Sequence, residues 1–128
     1  MNNNLHIHVG IEEAGINYEN CERLYHNLAE EADRDIARMR EYKGELNLNI
    51  VAHILGIWDF PEHRLGEKIN SGWAIGYLKK RINDAFGTLQ FWATIAKKDV
   101  SDIEYIKDRF LVRLEDTLND AARIKEGW

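Results

Sequence analysis

Carboxylates spaced one helical turn apart are the residues of this 128-residue chain that could hold a metal ion. Glu19 and Glu22 form one such pair, and Glu30 and Asp33 form a second. Carboxylate oxygens are the ligands that Mg²⁺ prefers, and a bound Mg²⁺ stabilises developing charge in phosphate chemistry. Both pairs fall on one predicted helix, however, whereas a metal cleft needs carboxylates that face one another. We therefore expect a solvated acidic face without a tight metal site.

The histidines and the single cysteine do not complete a metal site or a catalytic site either. His6 and His8 would lie on one side of a strand, which supplies half of a transition-metal site. No His-x-x-x-His or Glu-x-x-His pair follows on a helix. His53 lies in the most apolar stretch and is expected to be a hydrogen-bonded core residue, and Cys21 is expected to be a small buried residue. We assign no catalytic residue, and we expect no cofactor and no metal ion.

Two apolar stripes follow the predicted helix from about Gly72 to Ala96. The first recurs at three and four residues and can line the core; it consists of Ala74, Ile75, Leu78, Ile82, Ala85, Phe86, Leu89, Trp92, Ala93 and Ala96. The second stripe lies on another face and consists of Trp73, Tyr77, Phe91 and Ile95, with Arg81 between them. Trp, Tyr and Arg are the residue types that anchor protein interfaces. The second stripe therefore needs its own cover, either the N-terminal segment or the short helix of this chain, or another chain.

Apolar periodicity predicts the helices that would position these residues. The first long helix is expected over about 18–43, with Gly44 as the left-handed residue after it. Its core stripe is Tyr18, Cys21, Tyr25, Leu28, Ala32, Ile36 and Met39. A short buried helix is expected over 48–57, and a last long helix over 102–124. A capping box from Ser101 to Glu104 opens that last helix.

The N-terminal sixteen residues show a different period. Leu5, Ile7, Val9 and Ile11 alternate with polar residues and glycine, which predicts a short half-buried strand or an extended arm. A strand needs a partner, and the alternation over 45–51 is the one internal candidate. The predicted organisation is therefore an arm over 1–16 and a helical bundle over 17–128.

The charge is uneven along the chain. The net charge is −5, but residues 12–35 carry eight acids and two bases, and residues 64–98 carry seven bases and two acids. These segments are expected to complement each other, with Lys79, Lys80 or Arg81 pairing with part of the acidic face and the rest free to attract a basic partner. The acidic total makes direct nucleic-acid binding unfavourable. No apolar run reaches membrane-spanning length and no signal peptide is evident, so we expect a cytoplasmic protein.

The sequence thus predicts an all-α bundle of three long helices, packed nearly antiparallel with one short helix, and an extended arm. The favoured function is a non-enzymatic one, in which the chain binds and regulates or neutralises a larger protein partner, as immunity proteins, antitoxins and phage-encoded inhibitors do. The candidate interface residues are Trp73, Tyr77, Arg81, Phe91, Ile95, Glu19, Glu22, Glu30 and Asp33. One alternative is a Mg²⁺-dependent enzyme acting on a phosphorylated small molecule through these acids with Asp116 and Asp120 of the last helix. Another is a structural homo-oligomer.

Overall fold

The structure is a computed structural model that describes the backbone of residues 18–127 and the side chains from Glu22 onward. Its four α-helices are α1 (Tyr18–Glu41), α2 (Leu48–Leu55), α3 (Gly72–Ile95) and α4 (Ser101–Lys125). Short 3-10 helices lie at Lys43–Glu45 and Glu62–Arg64. The all-α class is confirmed for this part of the chain, which contains no strand. The predicted arm over 1–16 lies outside the described residues.

The three long helices pack around one cluster of buried apolar side chains. Gln90 of α3 donates to Glu104 of α4 over 2.8 Å, which places the C-terminal end of α3 beside the start of α4. Arg40, near the end of α1, donates to Thr117 of α4 over 3.2 Å. Helix α3 is therefore antiparallel to its two neighbours, whereas α1 and α4 run parallel; the sequence had indicated antiparallel packing throughout. In the core, the Phe86 and Phe110 rings of α3 and α4 meet edge to face.

Helix α1 ends two residues before the predicted position. Lys43, and not Gly44, adopts a positive φ of 51°. Gly44 instead allows close packing, because a Cβ there would lie 3.1 Å from Cγ2 of Ile124 on α4. A larger residue at this position would make the Ile124 side chain shift by a few tenths of an ångström.

The alternating segment over 45–51 does not form a strand, so that alternative was wrong. The Asn47 side chain accepts a hydrogen bond from the Ile50 amide over 2.9 Å and caps α2, which then begins at Leu48. Gly56 ends α2 with a left-handed φ of 74°. An N-cap and a C-cap glycine thus override the period-two pattern of this segment.

Two other caps determine where α3 and α4 begin. The Ser71 hydroxyl accepts from the Ala74 amide over 3.0 Å and caps α3. The predicted capping box is not formed: Asp99 accepts from both the amide and the hydroxyl of Ser101. These two hydrogen bonds hold the pKa of Asp99 below its ordinary value. In the part of the chain that is described, no helix combines the length and the apolar character needed to cross a bilayer.

The core face of α1 is wider than the predicted stripe. Leu28, Ala32, Ile36 and Met39 are buried and Tyr25 is half-buried, as expected, whereas the side chains of Tyr18 and Cys21 lie outside the described residues. Leu24 and Asp35 are also buried, and both were missed.

The expectation of a core histidine at position 53 was wrong. His53 is exposed, and its ring meets the edge of the exposed Trp58 with 5.9 Å between ring centroids. The apolar stretch around it buries Ile54 and Leu55 on the other side of α2, which leaves His53 on the solvent side.

Candidate interaction surface

The aromatic stripe of α3 divides into two halves, of which the first is covered by this chain. The Trp73 and Tyr77 rings stack with 4.9 Å between centroids. The buried Phe60 ring meets both of them edge to face, at 5.8 Å and 5.2 Å. Arg64 adds a cation–π contact, with its guanidinium carbon 4.7 Å from the Trp73 ring centroid. Among the described residues, the cover is the loop over residues 56–71, here called the covering loop, which leaves both rings half-buried.

Arg81 closes this half of the stripe. One guanidinium nitrogen donates to the Asp59 carboxylate and to the Tyr77 hydroxyl, each over 2.8 Å. Burial acts to lower the pKa of Arg81, but the hydrogen bonds to Asp59 and Tyr77 outweigh it, so the pKa lies above its ordinary value. Arg81 is 8% exposed and therefore ties the covering loop to α3 from inside the fold. It does not present a cation to a partner as the sequence had suggested.

The second half of the stripe stays at the surface. Phe91 is 59% exposed and Ile95 is 48% exposed, and the two lie one turn apart near the end of α3. Trp92 beside them is half-buried and meets the Phe91 ring edge to face at 5.4 Å. We call Phe91 and Ile95 the exposed patch. Large apolar side chains adjacent to one another at a helix surface are typical of binding sites.

The acidic residues of α1 take part in ion pairs with other parts of the chain. Asp33 contacts the Arg113 guanidinium of α4 and lies 4.0 Å from that of Arg109. Glu22 lies 3.3 Å from the ammonium group of Lys98. Glu30 lies 3.5 Å from Arg34 on its own helix. The Glu19 side chain lies outside the described residues.

The predicted pairing of the acidic face of α1 with Lys79 or Lys80 was wrong. Lys79 pairs with Glu115 of α4, and Lys80 pairs with Asp84 on its own helix. The predicted complementarity of the two charged segments is met in part, because Glu22 pairs with Lys98 of the basic segment. Arg109 and Arg113 of α4 supply further cations to α1, which the sequence had not indicated.

A weak contribution to stability is expected from the Asp33–Arg113 pair, because both side chains retain contact with water. A double-mutant cycle with Asp33→Ala and Arg113→Ala should give a coupling of about 0.5–1 kcal/mol at low salt. Urea unfolding measures it, and the coupling should shrink in 1 M salt as the charges are screened. A coupling unchanged by salt would show that the pair acts through packing and not through charge.

The acids proposed for Mg²⁺ do not converge in the described part of the chain. Asp33 faces arginines across the α1–α4 groove, and Asp120 lies against Arg123. Asp120 also borders a groove of about 160 Å³ whose other charged residues are Arg40 and Lys43. Among the residues described, no three His, Cys, Asp or Glu side chains are grouped so that they could hold a metal ion. His6 and His8 lie outside these residues.

Asp35 is a buried titratable residue that the sequence pattern did not lead us to expect. Its side chain is 0% exposed, and neither carboxylate oxygen has a hydrogen-bond partner. Burial raises the pKa of Asp35 to about 8, with Arg38 opposing the shift and Glu31 adding to it. The sequence spacing indicates this position. Asp35 follows Leu28 by seven residues and precedes Met39 by four, as Leu28 follows Leu24 by four, so Asp35 lies on the core face of the helix and not on its acidic face.

No protein-family model, curated protein or solved structure matches this chain.

Proposed function

We propose that this chain is a non-enzymatic interaction protein, which binds and regulates or neutralises a larger protein partner through the exposed patch. The observation that carries the proposal is the exposure of Phe91 and Ile95 together, at 59% and 48%, on one face of a 24-residue helix. A preformed helix face loses little conformational freedom on binding, so most of the energy of burying these side chains is available for affinity. The proposed function is of the kind performed by immunity proteins, antitoxins and phage-encoded inhibitors.

Electrostatics contribute less to this proposal than the sequence had suggested. The net charge of −5 still favours a partner with a basic surface, because opposite charges accelerate encounter. Glu22 and Asp33 already have cationic neighbours in the chain, however, and Trp73, Tyr77 and Arg81 are occupied by the covering loop. The exposed patch is therefore the part of the predicted interface that best supports partner binding.

The test is quantitative capture from the native host with a matched control. Wild-type protein is compared with Phe91→Glu/Ile95→Glu and with Tyr105→Glu/Val112→Glu, whose side chains on α4 are more exposed than those of Phe91 and Ile95. Burying a charge in the interface should weaken binding at the exposed patch by about 30-fold or more, which is the range of interface hot spots. The control variant should bind as the wild type does.

Two results would contradict the proposal. If both double variants lose partner binding equally, or if both bind as the wild type does, α3 does not carry the interface. Light scattering on the same proteins covers the homo-oligomer alternative: a wild-type dimer that Phe91→Glu/Ile95→Glu converts to monomer would assign the exposed patch to a second copy of the chain.

A further inference from the structure

Two cations line a groove of about 160 Å³ between the ends of α1 and α4. Arg40 lies in the last turn of α1, and Lys43 follows the end of that helix by two residues. The third charged residue of the groove is Asp120 of α4, whose carboxylate pairs with the Arg123 guanidinium. The groove therefore combines two positive charges with one acid that already has a cationic partner.

Neither Arg40 nor Lys43 has a carboxylate partner among the residues described. On α3 and α4, by contrast, every Lys and Arg except Lys125 has a carboxylate oxygen within 4.0 Å. The dipole of α1 accounts for one cation in its last turn, but not for a second cation in the same groove. Two cations that share a groove repel each other, and an anion bound between them would remove this repulsion.

The Arg40 guanidinium is held in one orientation by a neutral partner. Its Nε donates to the Thr117 hydroxyl over 3.2 Å, and that hydroxyl donates to the Arg113 carbonyl over 2.7 Å. Thr117 is 2% exposed, so the acceptor for Arg40 is fixed inside the bundle. Because this bond uses only Nε, the two terminal nitrogens stay available as a fork of donors, the geometry with which arginine binds carboxylates and phosphates.

The remaining walls of the groove are apolar. Met39 and Ala121 are buried, and Ile124 is 50% exposed at the rim. Lys43 reaches the lining from a turn in which its φ is 51°, a left-handed conformation that residues with a side chain rarely adopt. A cavity of about 150 Å³ accommodates a molecule the size of benzene, so the groove has room for an oxyanion that carries a small apolar group.

We propose that this groove binds a small oxyanion, a carboxylate or a phosphate ester, that carries a short apolar group. The two terminal nitrogens of Arg40 donate to the oxyanion, and Lys43 adds a second positive charge. Met39 and Ile124 contact the apolar group. The inference does not depend on partner binding at the exposed patch, because that patch belongs to α3 and the groove to α1 and α4.

Amide chemical shifts of the ¹⁵N-labelled full-length protein test the site, with phenyl phosphate and benzoate as probes. We expect saturable shifts in residues 39–45 and 117–124 with at least one of the two, and the one that binds identifies the oxyanion. Benzyl alcohol, which has the apolar group without the charge, should bind at least about 10-fold more weakly, since hydrogen bonds to charged groups are the strong ones. The absence of saturable shifts with both anions, or equal binding of the alcohol, would overturn the proposal.

Two matched lysine variants separate the groove from the overall charge. Lys43 and Lys97 are both exposed and both left-handed, with φ values of 51° and 60°, but Lys97 does not line the groove. Lys43→Gln should weaken binding of the probe by about 3- to 5-fold, and Lys97→Gln should leave it unchanged. Equal weakening in both variants would show that only the net charge acts, and would overturn the proposal.

Arg40→Gln should weaken binding by about 10-fold or more, because it removes the forked donor. This variant also loses the hydrogen bond to Thr117, so urea unfolding is measured on every variant. Lys43→Gln removes no hydrogen bond or ion pair among the residues described, and it decides alone if Arg40→Gln is unfolded. Wild-type affinity in folded Arg40→Gln or in Lys43→Gln would place the anion elsewhere and overturn the site.

Discussion

Asp35→Asn is expected to make the protein more stable at neutral pH, by roughly 3–4 kcal/mol at pH 7. In the folded protein, burial raises the pKa of Asp35 to about 8, whereas its ordinary value is 3.8. Between these values the folded state holds a proton that the unfolded state releases. The free energy of unfolding therefore falls as the pH rises from about 4 to about 8, by up to 1.4 kcal/mol per pH unit. Asparagine cannot ionise, so the variant loses this slope.

Urea unfolding at pH 5, 6, 7 and 8 measures the effect as the difference between wild type and variant. Groups that the substitution leaves unchanged contribute equally to both proteins and cancel in that difference. The carboxyls of Glu67, Asp99 and Glu104, whose pKa values are lowered by hydrogen bonds, act in the opposite sense and only near and below pH 4.5. Asp33→Asn is the matched control, because it changes an exposed carboxylate on the same helix and should keep the wild-type slope. Parallel pH profiles for wild type and Asp35→Asn would contradict the buried, protonated state.

The positions of the helices were predictable because their signals are local. Ser71 is a good N-cap, and apolar residues recur at three and four positions from Ala74 to Ala93, so the start and the core face of α3 follow from the sequence. The ends were less predictable where two local signals compete. Both Lys43 and Gly44 could take the left-handed position after α1, and the structure places it at Lys43, with Gly44 in close approach to Ile124.

The candidate site was only partly predictable, because its cover is formed by tertiary contacts of the loop that precedes α3. The sequence identified the second stripe of α3 and its need for a cover. It could not show that Phe60 reaches Trp73 and Tyr77, because that contact depends on how the covering loop folds back over α3. The division of the stripe into a covered half and an exposed patch is a tertiary property. The pairing of Asp33 with Arg113, 80 residues apart, is non-local in the same way.

Phe60→Ala is expected to uncover the first half of the stripe and to cost about 3 kcal/mol of stability. Phe60 is 9% exposed, and its ring is the part of the covering loop that contacts both Trp73 and Tyr77. Without it, these rings gain access to water and form an exposed apolar strip along the first turns of α3. We expect a lower midpoint in urea and, because such a strip favours association, a concentration-dependent increase in mass by light scattering.

Trp58→Ala is the matched control for this prediction. Trp58 lies two residues earlier in the same loop, but it is 70% exposed and contacts only the ring of the exposed His53 among the ring contacts described. Its removal should change stability by no more than about 0.5 kcal/mol and leave the mass unchanged. If Phe60→Ala behaved like Trp58→Ala, the covering loop would not hold Trp73 and Tyr77 in place, and the whole stripe would again be available to a partner. If Phe60→Ala lowers the urea midpoint and raises the mass whereas Trp58→Ala does neither, the first half of the stripe is part of the core. The exposed patch is then the part of the stripe that is left for a partner.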